Sequence, residues 1–238
     1  MLANSQRLGL RPVLCYAKTR RPCLRRRGGQ AHSSASTILG SSTDIGRKMC
    51  QTPSLTPRPS PVAPVVLPIL AAFSRHEESL QWGCNRAAEF WGTVALASPH
   101  FEFRETEYYT ASMGPELVKC FWAFEPLRDP GELSEWKRQT IRWEAEYAAL
   151  GRHPEPRPLN LDPGYITLAK VVLASTKDHA HRIYLGQGIF AEVTLYFKDG
   201  RWQHRDWTFP DYRRADYHEF FLAARQLLRA RQPTGGST

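Results

Sequence analysis

Acidic side chains are almost missing from the first 60 residues. That stretch holds 11 of the 32 Lys/Arg but one of the 23 Asp/Glu, Asp44. It carries +10, and the remainder, with 21 bases against 22 acids, carries −1. The net +9 of the 238-residue chain therefore belongs to the tail. A near-neutral body argues against broad phosphate-backbone binding, which needs a concentrated basic footprint, so nucleic acid is not the expected partner of the folded part. Tryptophan is also missing from the tail, since all 7 lie beyond residue 81. Residues 1–61 read instead as a disordered, basic, Pro/Ser/Arg-rich extension: "RRPCLRRRGGQ", "SSAS" and "TPSLTPRPSPVAP" show no period and bury too little apolar surface to offset chain entropy. An organelle transit peptide and a start codon placed too far upstream are the other readings.

Further absences narrow the function. No CxxC pair accompanies the 5 cysteines, which argues against a zinc knuckle, and an odd count without a secretion signal points to reduced thiols in the cytoplasm. No apolar run approaches the ~20 residues of a membrane span; the longest, "PVVLPILAAF", contains two prolines. No GxSxG elbow is present, which argues against a Ser/His/Asp nucleophile.

What is present reads as one α+β domain over residues 62–232, with 233–238 as a second disordered end. "VVLPILAAF" (65–73) predicts a buried strand, with Pro68 placing it at an edge or a bulge. Ser74 and Glu77 predict a capping box for a helix ending at Gly92. Strands are expected over 101–109 and 118–127. Asp129-Pro130-Gly131-Glu132 opens a second helix that Gly151 stops, and "LNL" begins the next strand. Strand, helix, strand, strand, helix, strand is the split βαβ order of a ferredoxin-like sandwich. Asp162-Pro163-Gly164 repeats the helix-start signal, so an extra helix is expected over "YITLAKVVLAST". A β-hairpin layer about "GQG" and "DG" and a C-terminal amphipathic helix from Tyr217 to Leu228 complete the expectation.

Read together, "YYTASMG", "LNLDPGYITLAKVVLASTKDHAHRIYLGQGIFAEVTLYF" and "WTFPDYR" make the chain resemble the prokaryotic domain of unknown function family 4416 over roughly residues 62–230. The resemblance implies a domain boundary and cytoplasmic residence, and no mechanism. Some members carry a GTP-binding label, but this chain has no GxxxxGK[ST] loop and no NKxD-like base reader. Members often have acidic residues just before the "MG"; here Thr110, Ala111 and Ser112 stand in their place.

The stretch "TKDHAHRIYLGQGIFAEVTLYF" (176–197) concentrates polar chemistry. With "GQG" as a three-residue loop, Leu185 faces Ile189, Tyr184 faces Phe190, and Arg182 faces Glu192 as a cross-strand ion pair. Lys170 and Lys177, seven apart on a continued helix, lie about 20° apart around its axis and ~10 Å apart along it. An anion site of Lys177, His181 and Arg182 competes with a solvated helix end and a structural hairpin rim. His179 and His181 share one side of a strand, half of a metal site at most, with His204, Asp206 or Glu192 as distant partners; no metal is expected. The candidate ligand-binding set is Lys170, Lys177, Asp178, His181, Arg182, Glu192, Asp162, Tyr165, Tyr108 and Tyr109. The expected ligand is small and anionic, a phosphorylated metabolite or nucleotide, with cofactor and catalysis left open. The alternative is a non-catalytic protein- or RNA-interaction module.

Overall fold

The computed structural model describes residues 64–105 and 108–232. The expectations for residues 1–61 and 233–238 lie outside the described residues. The elements are β1 (Leu67–Ser74), α1 (Glu77–Trp91), β2 (Val94–Ala97), β3 (Phe101–Glu102), α2 (Thr110–Met113), β4 (Val118–Phe124), α3 (Leu133–Ala149), β5 (Asn160–Ile166), β6 (Lys170–Ser175), β7 (Ile183–Gly186), β8 (Ile189–Lys198), β9 (Arg201–His204) and α4 (Ala215–Arg231). Among the described residues the strands form one α+β antiparallel sheet in the order β2-β4-β1-β5-β6-β8-β7, with β3 beside β4 and β9 beside β8.

β1 is buried along its whole length because helices cover both sheet faces. Its alternation sorts the core: Leu70 and Ala72 meet Trp91 of α1 and Trp136, Trp143 and Tyr147 of α3, while Leu67, Ile69 and Ala71 meet Tyr217, Phe220, Phe221 and Leu228 of α4. Pro68 therefore sits in a central strand rather than at an edge. Val66 N–H bonds Arg128 O on the β4 side, and the β1–β4 ladder starts only at Ile69↔Ala123. The proline nitrogen falls in that gap, where no partner strand is waiting for a donor.

Several local expectations are corrected. Ser74 does not cap α1: its Oγ donates to Pro158 O at 2.6 Å and accepts from His76 N at 3.0 Å. The 101–109 strand is only Phe101–Glu102, followed by α2. The second hairpin adds no layer, because β7, β8 and β9 extend the same sheet. Gln187 and Gly188 form its turn with φ of 55° and 76°. The register shifts between Tyr184 and Gly186, so Tyr184↔Phe190 holds as expected while Gly186, not Leu185, pairs with Ile189. By contrast, Asp129 caps the turn before α3 as expected, accepting from Gly131 N at 2.7 Å.

The largest correction is the extra helix, which does not exist: residues 160–175 form the β5–β6 hairpin. Thr167 makes the turn, its Oγ1 accepting from Ala169 N at 3.1 Å and Lys170 N at 3.0 Å. Pro163 sits just beyond the β5–β6 ladder, which begins at Gly164↔Leu173. Gly164 allows a close approach of the neighbouring backbone, since a Cβ there would lie 2.3 Å from Val172 O. Ile166, Thr167, Val171 and Val172 supply the β-branched content that suits a strand.

The loop between α3 and β5 is clamped to the start of α1 by two histidines. The His76 and His153 rings stack 3.7 Å apart. Glu155 sits 2.9 Å from His76 Nε2 and 3.1 Å from Arg75 Nη1. His153 Nε2 lies 3.0 Å from Tyr147 Oη and 3.3 Å from Glu78 Oε1. Burial and the neighbouring His76 lower the His153 pKa.

Two outcomes follow. Gly164→Ala should destabilise the protein by about 1–3 kcal/mol through backbone overpacking, read from the urea midpoint. A helix over 163–175 would instead gain about 1 kcal/mol. For pH, a histidine whose folded pKa lies below its unfolded value contributes stability above the unfolded value, and that stability is lost as pH falls towards the folded pKa. The urea midpoint should therefore drop as pH falls below about 6.5, with at most ~1.4 kcal/mol per pH unit from each such histidine. His218, also lowered by burial, contributes with the same sign. His153→Gln should flatten the slope and leave the His218 part; an unchanged slope would remove the clamp from the account.

Candidate functional site

Below Gly164 the two strands of the hairpin part. β5 keeps its pairing with β1 down to Phe73↔Asn160, while β6 pairs with β8 out to Ser175↔Phe190. Between them lies a cavity of about 500 Å³, within the ~300–1,000 Å³ range of small-molecule sites. Residues of β5 (Asn160, Asp162) and of β6 and its exit (Leu173–Lys177) line its sides.

An open fork leaves β5 with backbone groups that β6 would otherwise satisfy. Side chains of α3 take that role at Leu161. Lys137 Nζ donates to Leu161 O at 2.9 Å, and Leu161 N donates to Glu144 Oε1 at 2.7 Å. Positions 137 and 144, seven apart, lie on one face of the helix. Lys137 also donates to Asp162 Oδ1 at 2.8 Å, and Asn160 Nδ2 donates to Asp162 Oδ2 at 2.7 Å. Arg157 Nη2 closes the chain onto Glu144 at 2.9 Å and onto Asn160.

Cross-strand register brings the rest together. Lys119, Phe73 and Asn160 are level on β4, β1 and β5, and Leu173 is level with Glu192 on β6 and β8. Directly opposed residues share a sheet face. Lys119 Nζ donates to Asp211 Oδ2 at 2.5 Å and lies 4.3 Å from the Tyr212 ring and 5.1 Å from that of Phe103. Arg182 Nε donates to Glu192 Oε2 at 2.7 Å, and its Nη1 to Ser175 Oγ at 2.7 Å and Lys177 O at 3.0 Å. Lys177 Nζ sits 4.5 Å from the Tyr108 ring centre and 3.4 Å from its hydroxyl. Lys119, Lys137, Glu192 and Asp211 are each no more than 5% exposed.

The local field follows from these contacts. Burial raises the Asp162 carboxyl, but the Lys137 ammonium, helped by Lys119 and Asn160, outweighs it and holds the group below its usual range. Glu144 goes the other way: burial raises it despite Lys137 and Arg157. Burial, then the charges of Asp211, Asp162 and Glu192, push the Tyr212 phenol well up. It stays protonated, and its buried hydroxyl has no hydrogen-bond partner among the described residues. Tyr109 is pushed up to about 12, first by burial.

Of the sequence candidates, Lys177, Arg182, Glu192, Asp162, Tyr108 and Tyr109 meet in this cavity. Asp162 is a strand residue bonded to Lys137, not a helix cap. His181 stands behind the wall, 3.3 Å from Glu192. Lys170 pairs with Tyr196 at the far end of β6 from Lys177; the shared helical face expected for the two lysines vanished with the helix. Tyr165 packs on the α1/α3 side, and Asp178 is exposed outside the lining. Sequence reasoning missed Lys119, Lys137, Arg157, Asn160, Asp211 and Tyr212. Two signals were available: a lysine inside the apolar "VKCFWAF", and Lys137 in the stripe of Leu133, Trp136 and Thr140 that α3 buries. Among the described residues, no group of three His, Cys, Asp or Glu is placed to hold a metal ion.

No helix among the described residues is long and apolar enough to cross a membrane. No curated protein and no solved structure matches the chain. A family match covers more than half of its length, as the "DPGY", "TKD" and "HRIYL" segments led one to expect: the chain belongs to the family described as a domain of unknown function (DUF4416), which it matches over residues 63–227.

Proposed function

We propose that the fork between β5 and β6 binds a small anionic ligand, a phosphorylated metabolite or a nucleotide. Unused hydrogen-bond donors carry the reading. A lysine has three N–H donors and an arginine five. Among the described residues Lys119 gives one to an oxygen, Lys137 two and Lys177 one, and Arg182 Nη2 has no partner. The carboxylates are better satisfied: both Asp162 oxygens accept, and Glu192 accepts from Arg182 and Thr194. A wall with surplus donors suits a ligand rich in acceptors. Taking so many charges out of water costs several kcal/mol each, which pairing only partly repays, and this argues for a role beyond packing.

Two finer readings go with it. We read β1 to β5 as a ferredoxin-like unit, supported by the β2-β4-β1-β5 order and by the crossings through α1 and α3. We place the protein in the cytoplasm, supported by Cys84 and Cys120, both buried and unbonded.

Lys177 provides the test, because it has no carboxylate partner among the described residues and is exposed. Inorganic phosphate or a sugar phosphate at a hundredfold excess over its Kd should stabilise the wild type by about 2.7 kcal/mol. Lys177→Ala should lose most of that shift in a thermal melt while the ligand-free midpoint stays within ~0.5 kcal/mol. An unshifted wild type at millimolar anion concentrations would favour the interaction-module alternative.

A further inference from the structure

The same loop that supplies Lys177 and Arg182 also builds a stack of flat rings. His179 and His181 are parallel within 3°, with centres 5.7 Å apart, and His181 and Trp207 are parallel within 10° at 5.3 Å. Those separations belong to offset stacking. Two members are anchored: His181 lies 3.3 Å from Glu192, and Trp207 Nε1 donates to Val193 O at 3.4 Å. His179 is the end of the ladder that lines the cavity. It is exposed, and among the described residues no ring covers its outer face. Phe209, 46% exposed, lines the same cavity. An anchored ladder whose end ring lines a cavity offers a stacking platform, and such platforms accept any ligand with a π-face.

Charge sets a second limit. Among the described residues, five lysines and arginines line the cavity against four carboxylates, a net of one positive charge. A monophosphate, at about −2, exceeds this wall by roughly one charge, whereas a triphosphate exceeds it by roughly three.

We infer that the ligand is a small anion of one or two negative charges built on a planar conjugated ring, with the ring against His179 and the anionic group at Lys177 and Arg182. The inference rests on the anion reading above and adds the ring. Nucleoside monophosphates and aromatic carboxylates share this chemistry.

Calorimetric titration of the full chain with matched probes tests it. Adenosine monophosphate is compared with ribose 5-phosphate, benzoate with cyclohexanecarboxylate, and adenosine triphosphate with the monophosphate. At least one ring-bearing probe should bind about tenfold or more tightly than its ring-free partner; which pair responds separates the nucleotide source from the carboxylate source. The triphosphate should gain nothing over the monophosphate. His179→Ala should erase the ring preference and leave ring-free binding within about twofold, because the side chain is exposed and its loss leaves Lys177 and Arg182 in place. Equal binding of ring-bearing and ring-free anions, or a ring preference that survives His179→Ala, overturns the ring and leaves the anion site standing. A triphosphate bound more than about tenfold tighter overturns the charge limit. If none of the probes binds, the anion site and the ring inference fall together.

Discussion

Everything around the cavity depends on how one residue of β5 is satisfied without a neighbouring strand. Leu161 faces the open fork, yet its N–H meets Glu144 and its C=O meets Lys137. An unpaired buried backbone group costs about as much as a lost hydrogen bond, and here two would be exposed to a partly apolar cavity. The side chains of α3 act as a short substitute for the missing stretch of β6. That substitution is what lets the sheet hold a cavity of about 500 Å³ instead of closing on itself.

Once charged side chains serve as backbone partners, the charges need partners of their own. Lys137 is answered by Asp162, Glu144 by Arg157, and Asp162 again by Asn160. The network then runs along the walls to Lys119–Asp211 and Arg182–Glu192. Buried ion pairs are weak contributors to net stability, so their number here is hard to explain as scaffolding. On the proposed anion-site reading they act as fixed dipoles around a polar guest, held in place by the β5–β6 hairpin, α3 and the 205–212 segment. The His76–His153 clamp fixes the loop that brings in Arg157.

The sequence was legible where signals are local. The Arg182–Glu192 pair was read correctly because a hairpin turn sets its own register, and a one-residue bulge at Leu185 did not disturb the pairs beyond it. Asp129 was read as a cap for the same reason. Asp162-Pro163-Gly164 carries the same three letters in another setting, where Pro163 lies past the end of a ladder and Gly164 admits a neighbouring carbonyl. Only tertiary pairing distinguishes the two cases. The cavity itself was half legible. Its outer members sit in one polar stretch, whereas Lys119 and Lys137 are brought in from distant elements by strand register and helix packing.

A double-mutant cycle across Lys137 and Asp162 tests the central claim most directly. Unfolding free energies are measured in urea for Lys137→Met, Asp162→Leu and the double variant. Each single change leaves a charge or a backbone carbonyl without its partner, so each should be costly, and the double variant should cost less than their sum by about 1–3 kcal/mol. The partial exposure of Asp162, at 30% of its side chain, keeps the expected coupling below that of a fully buried pair. Strictly additive costs would contradict the account, since the Lys137 ammonium that meets Leu161 O would then not be held at β5 by Asp162.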